Sequence, residues 1–85
     1  MFTLDDRIAD LLQRRRSIRF RELQKVLLDL GFAMRQQRRG GSHYVFKHPA
    51  ANDLLVLVSH GTNDLLPEYQ VMKAAKVLRI LKEKT

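Results

Sequence analysis

Residues 27–59 read LLDLGFAMRQQRRGGSHYVFKHPAANDLLVLVS, and within them the spacing of apolar side chains changes from that of a helix to that of a strand. Upstream of the change, Phe20, Leu23, Leu27 and Leu30 recur at steps of three and four, which predicts a helix from about Arg19 to Leu30. Gly31 follows as a helix stop, and Phe32 just beyond it can pack back on the helix end. From Phe32 the period is two. FAMRQQR, SHYVFKH and DLLVLVS read as three strands, parted by Arg39-Gly40-Gly41 and by Pro49-Ala50-Ala51-Asn52. Connections this short join antiparallel neighbours, so the three strands form a meander.

The flanks complete the pattern. Thr3 can cap a first helix, with Asp5 and Asp6 in the turn where the helix dipole favours negative charge. Leu4, Ile8, Leu11 and Leu12 make its apolar stripe, and Arg14, Arg15 and Arg16 close it at the end that prefers cations. After the strands, SHGTND is a turn-rich loop, and Pro67 suits the first position of a last helix. Val71, Ala74, Ala75, Leu78 and Leu81 form the buried stripe of that helix, leaving Lys73, Lys76 and Lys82 in water. The order α-α-β-β-β-α predicts an α+β two-layer sandwich with the helices on one sheet face. Residues 1–85 form one domain, with no repeat, linker or low-complexity segment.

Composition narrows the function classes. With no cysteine, neither disulfides nor thiolate metal sites can staple the fold. The start MFTLDDRIADLL lacks the basic and apolar regions of a signal peptide, and no apolar run approaches the roughly 18–20 residues of a membrane span. A soluble, cytoplasmic protein is the expectation. The net charge is +7, and it is concentrated: residues 14–47 hold ten basic residues against two acids, a net of +8, while the remainder nets −1. A localised positive field points to a polyanionic partner, nucleic acid ahead of anionic membrane.

Few residues could carry chemistry. None of the three histidines stands at metal-ligand spacing from another ligand type, and no phosphate-binding loop, nucleophile elbow or paired-carboxylate motif is present. Cleavage of RNA suits so sparse a set, because the substrate brings its own nucleophile, the ribose 2′-OH. The protein need only move protons and stabilise an anionic phosphorane, and an imidazole can serve as acid or base near neutral pH. Period two puts His43, Val45 and Lys47 on one face of the second strand and Tyr44 and Phe46 on the other. His43 would then stand on the open face at the end of the Gly40-Gly41 turn, with Arg38 and Arg39 beside it. Lys47 lies about 13 Å along the strand at roughly 3.3 Å per residue, too far to share a phosphate with His43 and better placed to grip a neighbouring nucleotide. His48 reads as a surface or turn residue, and His60 could approach His43 only if its loop folds back.

The run Gly40-Gly41-Ser42-His43-Tyr44-Val45-Phe46 resembles the HicA toxins, which carry a glycine-serine-histidine step opening the second strand. LLDLGFAMRQQR before it (27–38), and His60-Gly61, Leu66-Pro67 and the lysine-rich last helix after it, are similar to the same family. The resemblance covers roughly residues 18–83 and leaves residues 1–16 as an additional N-terminal helix. Many members have a second histidine where Tyr44 stands. The resemblance implies a fold like the double-stranded-RNA-binding domain, α-β-β-β-α, and a metal-independent endoribonuclease, an mRNA interferase, with no cofactor. Its catalytic residue would be His43. RNA, with messenger RNA as the expected class, would be held by Arg38, Arg39, Ser42, Lys47, Lys73 and Lys76, and a HicB-like antitoxin would be the protein partner. The alternative is a non-catalytic double-stranded-RNA-binding module, for which Lys73-Ala74-Ala75-Lys76 would be the phosphate-facing cluster. The apolar run Leu54–Val58 leaves two options: the N-terminal helix covers the far side of the sheet, or that side or its edge is a protein interface.

Overall fold

Local signals set the helices. In the computed structural model, which describes residues 3–36, 43–61 and 63–84, helix α1 spans Leu4–Gln13. The Thr3 hydroxyl accepts the Asp6 N–H at 3.1 Å, and the Asp6 carboxylate accepts the Thr3 N–H at 3.0 Å, a complete capping box. Ile8 and Leu11 are its buried residues. Helix α2 spans Phe20–Asp29 and buries Phe20, Leu23 and Leu27. It ends in a Schellman motif: the Phe32 N–H reaches the Leu27 carbonyl at 3.0 Å and the Gly31 N–H reaches that of Leu28 at 3.1 Å. Gly31 adopts φ +97°, which a side chain would resist, and Phe32 folds into the core as the spacing implied.

Strand β1 is Ala33–Gln36, β2 is His43–His48 and β3 is Ala51–Val58; they form one antiparallel sheet in the order β1-β2-β3. Arg35 pairs with Val45 and Gln36 with Tyr44, while His43 pairs with Val58, Val45 with Val56 and Phe46 with Leu55. Tyr44, Phe46, Leu55 and Leu57 face the helices; Phe46 and Leu57 are wholly buried, and the Tyr44 and Phe20 rings lie 4.6 Å apart. Helix α3, Glu68–Lys84, packs across β3 and buries Val71, Ala74, Ala75, Val77, Leu78 and Leu81. The fold is the expected α+β layered arrangement.

Four details depart from the sequence reading. Pro67 precedes α3 rather than opening it, and its carbonyl accepts the N–H groups of Gln70 and Val71. β3 begins at Ala51, two residues before the expected start, because His48 closes the turn early. The Ala50 N–H bonds His48 Nδ1 at 3.0 Å, so the ring proton sits on Nε2 and is donated to the Leu30 carbonyl at 3.1 Å. Half-buried and edge-on to Phe32, His48 ties the hairpin to the end of α2 rather than lying at the surface. Last, α1 packs against α3 within the helical layer and does not cover the far side of the sheet, where Leu54 and Val56 remain exposed.

The arginines after α1 act as ties. Arg14 makes two hydrogen bonds to Asp10 and one to Glu22, while Arg15 and Arg16 both reach Glu68. Ile18 is buried; its carbonyl accepts the Leu66 N–H, and the Phe20 N–H reaches the Asp64 carbonyl, so the α1–α2 link is laced to the loop before α3.

Two predictions follow from these ties. Gly31→Ala forces a side chain into the left-handed region and brings a Cβ within 3.2 Å of His48 Nε2. Urea unfolding should show a loss of about 1–2 kcal/mol, and an unchanged midpoint would contradict the Schellman assignment. In acid, Asp10 is held below its ordinary 3.8 chiefly by the Arg14 hydrogen bond, and Glu22 below 4.5 chiefly by the Arg19 backbone N–H and then by Arg14. Depressed carboxyl values mean that this stability is fully present above those ordinary values and is lost as pH falls through the folded ones. Arg14→Met should therefore flatten the acid limb of a melting-temperature profile below about pH 4.5. An acid limb as steep as in wild type would remove Arg14 from that role.

Candidate active site on the open sheet face

The burial of Tyr44 and Phe46 decides which side chains of β2 face solvent. His43, its first residue, is exposed, and Val45 and Lys47 share its face. From β3 the same face receives Leu54, Val56 and Val58, and from β1 it receives Ala33 and Arg35. Arg35 stands opposite Val45 and hence diagonal to His43, a separation of roughly 7–8 Å in an antiparallel pair. That is within an arginine's reach of a group held at the imidazole. Lys47, opposite Ala33, lies at the far end of the strand from His43, as its spacing implied.

The proposed RNA-binding residues divide into three groups. Arg38, Arg39 and Ser42, with the Gly40-Gly41 turn, lie outside the described residues. Lys47 shares the face of His43. Lys73 and Lys76 are exposed on α3, in the helical layer on the other side of the sheet, and the Lys73 ammonium stands 6.0 Å from the Tyr69 ring. The structure does not bring these two lysines to His43. His60 comes two residues after Val58, the cross-strand partner of His43, so both histidines lie toward one end of the sheet. The His60 N–H is bound by the Asp64 carboxylate at 2.8 Å, which shapes the loop there.

Arg35 was not singled out from the sequence. Its signal was its parity in β1, but parity alone does not say which residue of β2 a β1 residue meets. That depends on the connection between the strands. The basic segment also divides. Arg14, Arg15 and Arg16 are held by carboxylates, and Arg19 donates to the Asn63 carbonyl at 2.6 Å. Arg35 and Lys47 have no carboxylate partner among the described residues, so the charge free for a polyanion includes these two on the open face. Among the described residues, no group of three His, Asp or Glu side chains could hold a metal ion, and no helix is long and apolar enough to cross a membrane.

Such a face offers an accessible imidazole, nearby cations and apolar ground between them, a combination suited to proton transfer at an anionic substrate. Comparison with known proteins agrees in kind. Residues 20–82 match the family model described as the HicA toxin of bacterial toxin-antitoxin. No curated protein and no solved structure matches the chain. The matched residues contain α2, the whole sheet and most of α3; α1 precedes them. The family is one of toxins that generally cleave RNA, each with a cognate antitoxin. A match over residues 20–82, most of the chain, places this protein in the HicA toxin family of bacterial toxin–antitoxin systems.

Proposed function

We propose that the chain is a metal-independent endoribonuclease, the mRNA interferase of a toxin–antitoxin pair, with His43 as its catalytic residue and the cytoplasm as its place of action. The observation that carries this reading is the exposure of His43 on a face it shares with Arg35 and Lys47. The imidazole takes the proton of the ribose 2′-OH; O2′ attacks the adjacent phosphorus, and the bond from phosphorus to O5′ breaks. Water at the exposed face protonates the departing O5′. Arg35, with Arg38 and Arg39, steadies the charge on the phosphorane, Ser42 offers its hydroxyl, and Lys47 grips the next nucleotide. The antitoxin is HicB-like and competes with RNA for this face.

Three expected outcomes test the reading. His43→Ala should abolish growth arrest and lower single-turnover cleavage by about 10²–10⁴. The fold and most of the RNA affinity should survive, because the side chain is exposed and binding rests on other residues. A folded variant cutting within a few-fold of wild type would refute the mechanism in favour of a non-catalytic RNA-binding module. Products should carry a 2′,3′-cyclic phosphate and a 5′-hydroxyl in the presence of EDTA, and a 2′-deoxyribose at the scissile position should stop cleavage. Finally, replacing Arg35 and Lys47 together by Ala should reduce the slope of log affinity against log salt by about 1.4, each contact to a single strand contributing about 0.7. An unchanged slope would take both residues out of the RNA path.

A further inference from the structure

We propose that the outer edge of β3 receives an extended, acid-bearing segment of the cognate antitoxin as a fourth strand. This rests on the assignment to a toxin–antitoxin pair and deepens it by naming the mode of capture. Among the described residues β3 is an edge strand, paired with β2 alone. The Val58 N–H donates not to β2 but to Oε1 of Gln70 at 3.0 Å. Since backbone groups alternate along a strand, the N–H and carbonyl groups of Val56 and Leu54 also point away from β2. Gln70 is buried and is oriented by a hydrogen bond from its Nε2 to the Tyr69 hydroxyl. The edge is thus closed at Val58. At its other end the ladder is irregular, with three residues between Ala51 and Leu55 facing the single Lys47 of β2. Between these two devices it stands open.

Natural edges are guarded by lysine, proline, bulges or inward charges; Leu54 closes the irregularity opposite Lys47, and Leu55 and Val56 beyond it carry none of these. Leu54 is 55% exposed and Val56 39%. Behind the edge, between β3 and α3, runs a groove of about 300 Å³ lined by residues 53–56 of β3 and by Lys73, Lys76, Val77 and Ile80 of α3. A strand added to this edge sends alternate side chains to opposite sides. One set enters the groove and meets Lys73 and Lys76; the other extends the apolar patch of Leu54 and Val56. Carboxylates in the first set and apolar residues in the second complement the site. A second copy of the chain does not, because two-fold pairing of β3 edges would set Lys73 and Lys76 of one copy beside those of the other, on chains that each carry +7. The edge is also continuous with the catalytic face. Val56 lies in one row with Val45 and Arg35, and Val58 is the neighbour of His43. An antitoxin anchored here would reach His43 directly across the sheet.

The test uses the full chain and its cognate antitoxin. With His43→Ala as the producible form, backbone amide exchange is read by NMR for the free chain and for the purified complex. Exchange at Leu54 and Val56 should slow by at least about tenfold in the complex, and the Val58 amide, already bonded to Gln70, should change less. Unslowed exchange at Leu54 and Val56, with protection elsewhere on the chain, would overturn the proposal. So would slowing in the free chain as its concentration rises, which would make a second copy the occupant, or slowing on addition of RNA alone. On the active chain, Leu54→Pro deletes an outward donor and no bond to β2. The antitoxin should bind it at least about tenfold more weakly, whatever its rate of RNA cleavage. Should that variant not fold, K73E/K76E reverses the groove's charge and should weaken the antitoxin likewise. Wild-type chain that cuts no RNA would sink the enzymatic reading and leave the exchange result standing. Undiminished antitoxin binding by both variants would sink strand addition alone.

Discussion

Phe46 is wholly buried under the helices, and the rest of the site depends on that one placement. Side chains alternate along a strand, so fixing Phe46 inward fixes Tyr44 inward and sends His43, Val45 and Lys47 to solvent. The constraint is shared across the sheet: Phe46 pairs with Leu55, itself buried, and with Met34, whose sulfur meets the Gln24 amide on α2. A slip of one residue would turn His43 into the core and a charged Lys47 with it. Tyr44 reinforces the choice by packing its ring, tilted by 43°, against Phe20. Where many HicA toxins have a second histidine, this chain therefore has a half-buried aromatic facing α2, on the opposite side of the sheet from His43. The single-imidazole chemistry proposed here is consistent with that arrangement.

Electrostatics follows from the same layering. The segment with the highest charge density does two different jobs. Its first four arginines satisfy carboxylates and a carbonyl that hold α1, α2, α3 and the preceding loop together. Exposed pairs of this kind are individually worth about 0–1 kcal/mol, so their value lies in joining elements distant in sequence. Arg35 and Lys47 have no such partner among the described residues and stand on the open face. Linear charge density thus overstated the positive field available to a polyanion near α1 and understated the importance of one arginine in β1.

Much of the fold was legible because strong, local signals agreed. Thr3 with Asp6 gave the first cap, Gly31 the helix stop, and the change of period at Phe32 the start of the sheet. The face of His43 was legible for the same reason, since parity needs only the sequence. Features that depend on pairing were not legible. Arg35 becomes a neighbour of His43 only through the β1–β2 register, and Lys73 and Lys76 are separated from it by the sheet itself. His48 read as a surface or turn residue; its bond to Ala50 fits the turn, but its hold on Leu30 was hidden because that carbonyl is met only after the hairpin folds back on α2. The extent of the α1 contact was likewise hidden: an amphipathic helix shows that it must be covered, but not by which element.

Capture and catalysis then share one piece of architecture. A three-stranded sheet covered by helices on one side has two exposed assets, its bare face and its outer edges. On this chain the face carries the imidazole and unpaired cations, and the edge of β3 carries unpaired backbone groups beside an apolar stretch. RNA, with its phosphates and flat bases, suits the face. A polypeptide strand suits the edge, because only another backbone can match its alternating donors and acceptors. The two ligands would not need to compete for the same side chains to exclude one another. Val56 belongs to the edge and to the face at once, and Val58 lies against His43. A partner secured at the edge would occupy the space above the face through its bulk, so RNA would be denied the imidazole without any antitoxin residue having to mimic a nucleotide.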